Sequence, residues 1–556
     1  MISVALIWLY MTVTCYVIGF ACIRVISDIL LRTKRFRAVC GTDCLYAGIG
    51  AITVYSQFYS IFGKVGLGAN IGLLFICALC ILFYKKDYLE RLHDFRLTIT
   101  PGRIAVTVFL FLFFAYGTSF GIIHYDTSLY HAQSIRWIEE YGVVPGLGNL
   151  HTRLAYNSSA FCLSALYSMA FLGGQSFHCC AGYLAFLLAV VCKGAFRKER
   201  LLKPGLSDFV KIIGIYYLLM IFDEMVSPAS DYFMVLLVFY IVIRWLELLE
   251  KKENSYLPYG LLSLLCITVL TIKLSGALIL LLTLKPAVML IREKKGKEIT
   301  FFLLTGFVMA LPFFIRNVIL SGWLIYPFTA VDLFEVDFKI PKGVADYDAK
   351  EIQVWGRGYS DVTAFDAPIS SWLPGWIGTL DMTDRIFLVL AVAGLVLFGI
   401  MLVYALIRKK REMADVLHVM GVLAICFLFW LCSAPLIRYG CIFLWLTPVL
   451  IWGSVYLRIS PQTDRYRLYL AALALLAFYK MGAFGMEVAG SATDEYLVVQ
   501  KDYENYETIP YEIDGHTFYY PAEGDRTGYA AFPSVPVVKE VILRGEELKD
   551  GFKSEE

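Results

Sequence analysis

Apolar runs recur along this chain, each close to the roughly 20 residues a helix needs to cross a bilayer. They fall near 4–26, 46–63, 70–84, 104–123, 176–196, 207–226, 231–248, 257–272, 274–291, 299–318, 384–407, 414–432, 439–457 and 466–484. In lipid a chain must satisfy its backbone polar groups internally, and helices do so within one segment. The pattern therefore predicts an all-α polytopic membrane protein of about 13–15 transmembrane helices. Composition agrees: 59% of residues are hydrophobic and 17% charged, against about 25% charged in soluble domains. The first run lacks a basic leader and a small-residue cleavage site, so it is read as an uncleaved span.

Basic clusters at Arg32–Arg37, Lys85–Arg103, Arg197–Lys203, Lys251–Lys252, Arg292–Lys297, Arg408–Arg411 and Arg458–Arg467 fall on alternate connections. Positive charge gathers on the cytoplasmic side, which predicts that both termini are extracytoplasmic. The expected organisation is a polytopic membrane domain over 1–484, with outer loops 123–153 and 320–383, and a C-terminal extracytoplasmic appendage over 485–556. The appendage carries β-like runs at 516–520 and 537–543, so a small α/β segment is expected there. Residues 155–172 are apolar enough to cross, yet crossing would turn the 197–200 basic cluster outward. A partial dip or an interfacial position is therefore preferred. The net charge of +2 argues neither for nor against nucleic acid, and no basic run interleaved with aromatics suggests a strand-binding groove. The long polar stretches contain no cysteine, so disulfides do not hold them. Cys77 and Cys80 lie inside an apolar run and read as buried thiols.

The most informative stretch is 123–160. Asp126 directly follows an apolar run, and Leu129, Ala132, Ile135 and Ile138 then repeat at near-helical spacing, which describes an amphipathic helix on the membrane surface. Asp126 suits either a helix N-cap or a general base or metal ligand at a membrane-surface site. Asp231, in SPASD, carries the same two readings. His131, His151 and Arg153 add polar groups at that level, and Glu139 and Glu140 read as a solvated face. Lys273 separates two apolar runs, either as a snorkelling lysine or as an ammonium that meets an anionic ligand. Arg316 and Arg438 stand at the same outer side, as headgroup anchors or as a phosphate clamp for which guanidinium is suited. The 320–383 loop contributes Tyr326, Trp355, Trp372 and Trp376, which read as sugar-stacking platforms or interface anchors. No nucleotide cradle is present.

Several of these blocks resemble an uncharacterised bacterial multi-pass membrane protein family of the LIC_10190/DUF8201 type. They are YDTSLYHAQSIRWIEEYGVVPGLGNLHTRLAYNSS (125–159), SPASD (227–231), TIKLS (271–275), RNVILSGWLIYP (316–327) and YYPAEGDRTGYAAFPSVP with LRG in the tail. Relatives of that kind carry tail cysteines where this chain has Asp525-Arg526-Thr527 and Phe532-Pro533-Ser534. More distantly, the layout is similar to GT-C glycosyltransferases. That similarity implies that Asp126 takes the place of the first-loop catalytic acid.

The expected function is sugar transfer from a polyprenyl-phosphate donor to a glycan, lipid or protein acceptor, at the outer face of the bacterial cytoplasmic membrane. Asp126 and Asp231 are the catalytic candidates. His131, His151, Arg153, Lys273, Arg316, Tyr326 and Arg438 are the substrate-binding candidates. A divalent metal is compatible with Asp126, Asp231 and His131 but not required, and no cofactor is assigned. A lipid-linked polysaccharide polymerase or ligase would rest on the arginines and dispense with Asp126. A transporter of lipid-linked glycans would show repeated halves or midplane charges.

Overall fold

The computed structural model describes residues 1–31, 41–459, 463–491 and 495–555. The basic connection at 32–37 and Cys40 lie outside the described residues. The protein is mostly helical, with a small strand region near its C-terminus. Among the described residues, eight helices are long and apolar enough to cross a membrane: Ile2–Leu30, Pro101–Ser119, Ser230–Glu250, Leu274–Arg292, Gly296–Ser321, Met382–Ile407, Arg411–Cys432 and Ile437–Ile459. By length and composition, they suggest a multi-pass membrane protein.

The other predicted runs fold as helices that are shorter or more polar. Gly41–Phe62 carries Asp43, Ser56, Gln57 and Ser60 on its buried side. Leu67–Phe83 turns by 85° into the polar helix Lys85–Leu97. The segment 155–172 forms the short helix Ser159–Tyr167, buried throughout. Ser158 before it bonds the Ile272 carbonyl at 2.8 Å, and Gln175 after it bonds the Gln500 carbonyl at 2.9 Å. Both flanks thus meet elements at one end of the bundle, so the segment dips in and returns.

Small residues let helices approach closely. A Cβ on Gly19 would lie 1.8 Å from the Cys44 carbonyl oxygen, and one on Gly48 would lie 1.9 Å from that of Cys15. These two glycines bring the Ile2–Leu31 and Gly41–Phe62 backbones together. The helix Ser230–Glu250 runs through the main core, buried along most of its length.

The strand region forms two antiparallel hairpins, Thr508–Ile513 with His516–Pro521, and Val541–Leu543 with Phe552–Ser554. The first turns through Asp514-Gly515, both at positive φ (46° and 79°), the geometry that suits the twist of a two-residue hairpin. The strands cover the predicted β-like runs in part. They close over the 123–153 loop: Trp137, Val144, Leu147 and Leu150 share one core with Phe518, Val535, Leu543 and Phe552. Gln133 donates to the Gly528 and Ala531 carbonyls, and Arg136 to those of Tyr529 and Ala530.

The helix Ala132–Glu140 therefore does not lie on a lipid surface. Its polar face is covered by the tail, which supplies the acceptors that Gln133 and Arg136 need. Glu139 corrects the solvated-face reading. It is buried and accepts from Ser176 at 2.8 Å and Tyr529 at 2.6 Å.

Candidate functional site

Four chain segments deliver charged side chains to one end of the bundle. The first follows the C-terminus of Pro101–Ser119. Ile122 N–H bonds the Asp223 carbonyl at 2.8 Å, and His124 N–H bonds Ser227 Oγ at 2.7 Å. These contacts fix the turn that presents His124 and Asp126. Residues Thr127–His131 then form one turn of π-helix, a wide geometry frequent at functional sites. The second is the start of Ser230–Glu250, which carries Asp231. The third is Lys273, where the helix Tyr256–Ile272 ends. The fourth is the start of Ile437–Ile459, which carries Arg438 and Tyr439. That helix breaks at Gly440 (φ −159°, ψ 17°), where a Cβ would sit 2.4 Å from the Trp430 indole. The break sets the direction of Arg438 and Tyr439.

Asp126 Oδ2 lies 2.7 Å from Arg438 Nη2. Arg438 Nη1 lies 2.8 Å from His124 Nε2. Lys273 Nζ pairs with Asp231 Oδ1 and stands 4.0 Å from the centre of the Tyr439 ring. The Arg438 guanidinium lies 5.3 Å from the same ring, so Tyr439 joins the two ion pairs. Neither carboxylate caps a helix with its side chain, although Asp126 occupies the N-cap position of the π-turn. Asp126 makes no side-chain capping bond, and Asp231 lies inside the first turn of its helix and is committed to Lys273.

The cluster sets the state of its histidines. Burial holds His124 below its ordinary pKa, and the Arg438 charge lowers it further, against the pull of Asp126, Asp231 and Glu224. His131 is held well below by burial, then by His124. Both imidazoles are therefore neutral near pH 7. A neutral ring offers one acceptor nitrogen, and for His124 the guanidinium at Nε2 is the stronger donor. Arg438 Nε is buried without a hydrogen-bond partner among the described residues, which leaves one donor for an incoming acceptor. With two carboxylates and two cations, the cluster neutralises itself. An anionic ligand that takes over Arg438 and Lys273 would release both carboxylates.

A second polar group lies next to the first. Tyr156 Oη donates to both Asp348 oxygens, at 2.8 and 3.0 Å. Tyr326 lies 6.1 Å from the Tyr156 ring. Arg153 lies over Trp355 at 4.7 Å. His151 Nδ1 accepts from Arg153 N–H at 3.2 Å. Burial raises the pKa of Asp348 and Glu351 and lowers that of Lys539. It also pushes His151 down to about 3. The Tyr130 ring links the groups, 4.4 Å from the His131 ring and 5.8 Å from that of Tyr156.

The structure thus joins Asp126, Asp231, Lys273 and Arg438, with His131 beside them, and collects His151, Arg153 and Tyr326 in the adjoining group. Arg316 joins neither. Its Nε donates to Asn157 Oδ1 at 3.0 Å and its Nη1 to Ser60 Oγ at 2.5 Å. Among the described residues, Asp126, Asp231 and His131 do not form a group that could hold a metal ion. Trp372 and Trp376 belong to the main core, and Trp376 donates to the Pro435 carbonyl. They are therefore not sugar platforms. Sequence reasoning missed His124, Tyr130, Tyr156, Asp348 and Tyr439. His124 and Tyr439 were within reach, as neighbours of Asp126 and Arg438.

A cavity of about 2600 Å³ lies elsewhere. It is lined by Arg103, Arg200 and Lys251, at the opposite ends of the helices that carry the cluster, and by apolar side chains between.

No curated protein and no solved structure matches the chain. Residues 1–445 match a family described as a domain of unknown function, DUF8201. That match spans all four segments of the charged cluster, and the chain belongs to the DUF8201 family.

Proposed function

We propose that the protein is a membrane glycosyltransferase of GT-C type. It moves a sugar from a polyprenyl-phosphate donor to an acceptor hydroxyl, in cell-envelope glycan synthesis at the extracytoplasmic face of the bacterial cytoplasmic membrane. The observation that carries this reading is the pairing of Asp126 with Arg438 and of Asp231 with Lys273 around Tyr439, at one end of an apolar bundle. The layout resemblance to GT-C enzymes supports it, as does the common end shared by the first loop, the 320–383 loop and the tail.

In this mechanism the donor phosphate takes Arg438, including its free Nε, and Lys273. Asp126 is thereby released and accepts the proton of the acceptor hydroxyl as its oxygen attacks the anomeric carbon. The bond from that carbon to the phosphate oxygen breaks, and the electron pair leaves with polyprenyl phosphate. The two cations stabilise the charge that grows there. Asp231 holds Lys273 between turnovers. His131 and Tyr130 stand between the cluster and the group of Arg153, His151 and Tyr326, the side from which a glycan, lipid or protein acceptor approaches. The polyprenyl tail stays in lipid, and a site of this kind needs neither nucleic acid nor a nucleotide cofactor.

The test is turnover of polyprenyl-phosphate sugars by the full chain in lipid nanodiscs, read as release of polyprenyl phosphate. Asp126→Asn should lower the rate about 10²–10⁴-fold, the usual range for a general base. Full turnover by that variant would transfer the chemistry to the arginines, as in a polymerase or ligase. Movement of a labelled lipid across vesicles without covalent change would establish a transporter.

A further inference from the structure

Arg316 is 3% exposed, and among the described residues no carboxylate pairs with it. Its two partners, Asn157 and Ser60, are neutral. Both are already engaged: Asn157 Nδ2 donates to the Phe313 carbonyl at 2.8 Å, and Ser60 Oγ to that of Gln57 at 2.6 Å. A buried cation without a counter-charge is costly, and proteins pair such groups. Beside Arg316 is a cavity of about 10 Å³, also lined by Ser134, Trp137, Phe161 and Leu320. Trp137 is fully buried and Ser134 is 7% exposed. Among the described residues, Trp137 Nε1 and Ser134 Oγ have no hydrogen-bond partner.

We infer that this cavity is a binding site for one small monovalent anion, chloride in the cell, held by Arg316, Trp137 and Ser134. The uncompensated charge separates an anion from a water molecule. The indole N–H and the guanidinium can only donate, and the serine hydroxyl can turn to donate. A water could donate to the Ser134, Asn157 or Ser158 oxygens that line the cavity but would leave the buried charge unbalanced, whereas a halide accepts from all three donors and neutralises it. The volume is that of a single small particle, so it excludes phosphate, sulfate and carboxylate ligands. The walls supplied by Phe161 and Leu320 suit a weakly hydrated ion.

The site is independent of the proposed reaction. It ties Gly296–Ser321, through Arg316, to the Ala132–Glu140 helix, through Ser134 and Trp137. A halide there would fix how the first loop sits on the bundle.

The experiment uses the full chain in nanodiscs, with chloride exchanged for gluconate at constant ionic strength and unfolding followed by temperature. Chloride should raise the midpoint in a saturable manner, and crystals soaked in bromide should show an anomalous peak between Trp137, Ser134 and Arg316. Trp137→Phe keeps the ring and removes the N–H. It should weaken the apparent chloride affinity about tenfold, in line with the loss of one charge-assisted hydrogen bond. Arg316→Met should abolish the chloride response. Equal midpoints in chloride and gluconate, or an identical titration for wild type and Trp137→Phe, would overturn the proposal.

Discussion

Two ionic clusters at opposite ends of the bundle are built differently. At the end away from Asp126, four carboxylates and three cations alternate in one chain from Asp43 to Glu250. Asp208 takes Lys211 at 3.0 Å, Gly205 N–H at 2.8 Å and Arg200 at 3.3 Å. Glu247 takes Lys211 at 2.8 Å and Arg244. Asp43 takes Arg244 at 2.9 Å and Tyr240 at 2.7 Å. Glu250 takes Arg200 at 2.6 Å and Ser207 N–H at 2.7 Å. Every carboxylate oxygen in this chain has a partner, and the Asp208 and Lys211 side chains are 0% and 2% exposed. The Asp126 end has two separate pairs, an unused donor on Arg438, and side chains 11–31% exposed. A saturated network fastens helices together. An unsaturated and partly open one is prepared to exchange its partners for a ligand.

This contrast can be broken most severely at Lys211. Lys211→Met should destabilise the protein by roughly 3–5 kcal/mol, because it removes the buried cation shared by Asp208 and Glu247 and leaves each with only an arginine on its other oxygen. Chemical unfolding in detergent would measure it, and a loss below about 1 kcal/mol would remove the fastening role. Gly440→Ala comes next. Its new methyl meets the Trp430 indole, so overpacking should cost about 1–3 kcal/mol and turn Arg438 away. Activity should fall more than stability.

At Asp126 the stability effect should be smaller still. Asp126→Asn should change the unfolding free energy by no more than about 1 kcal/mol, since the pair is partly solvated, while turnover is lost. A large stability loss there would make the two ends alike.

The smallest expected effect is on pH. His151 is held down to about 3 by burial and by the charges of Lys539 and Arg153, so the folded state favours its neutral form. Its contribution is complete above the unfolded value near 6.5 and declines as pH falls toward the folded value. The wild type should lose on the order of 1 kcal/mol between pH 7 and 5 from this group. His151→Gln should flatten that slope, which thermal midpoints across the range would show.

Much of the helical architecture was legible because apolar length is a property of local sequence. The β-like runs of the tail were legible in part, as 516–520 and 537–543, while the Asp514-Gly515 turn that pairs the first of them was not read. The pairing of Asp231 with Lys273 was not, since their chain separation says nothing of which helix faces which. Arg316 was grouped with Arg438 because both end up at one level of the bundle. Level is readable from the adjoining apolar run, but azimuth around the helix depends on packing at Ser60 and Asn157. Glu139 looked exposed because its cover, Tyr529, comes from far along the chain. The Trp pair at 372 and 376 looked like surface aromatics for a similar reason.

The tail that closes over Gln133 and Arg136 also orders events during synthesis. Its residues leave the ribosome after the long helices described above, yet they supply the carbonyls that finish the 123–153 loop. The segment bearing Asp126 would remain half-built until the tail had been delivered to the same side. A nascent chain stalled before residue 500 would thus already contain all four ionic side chains while lacking the scaffold that aligns the first of them.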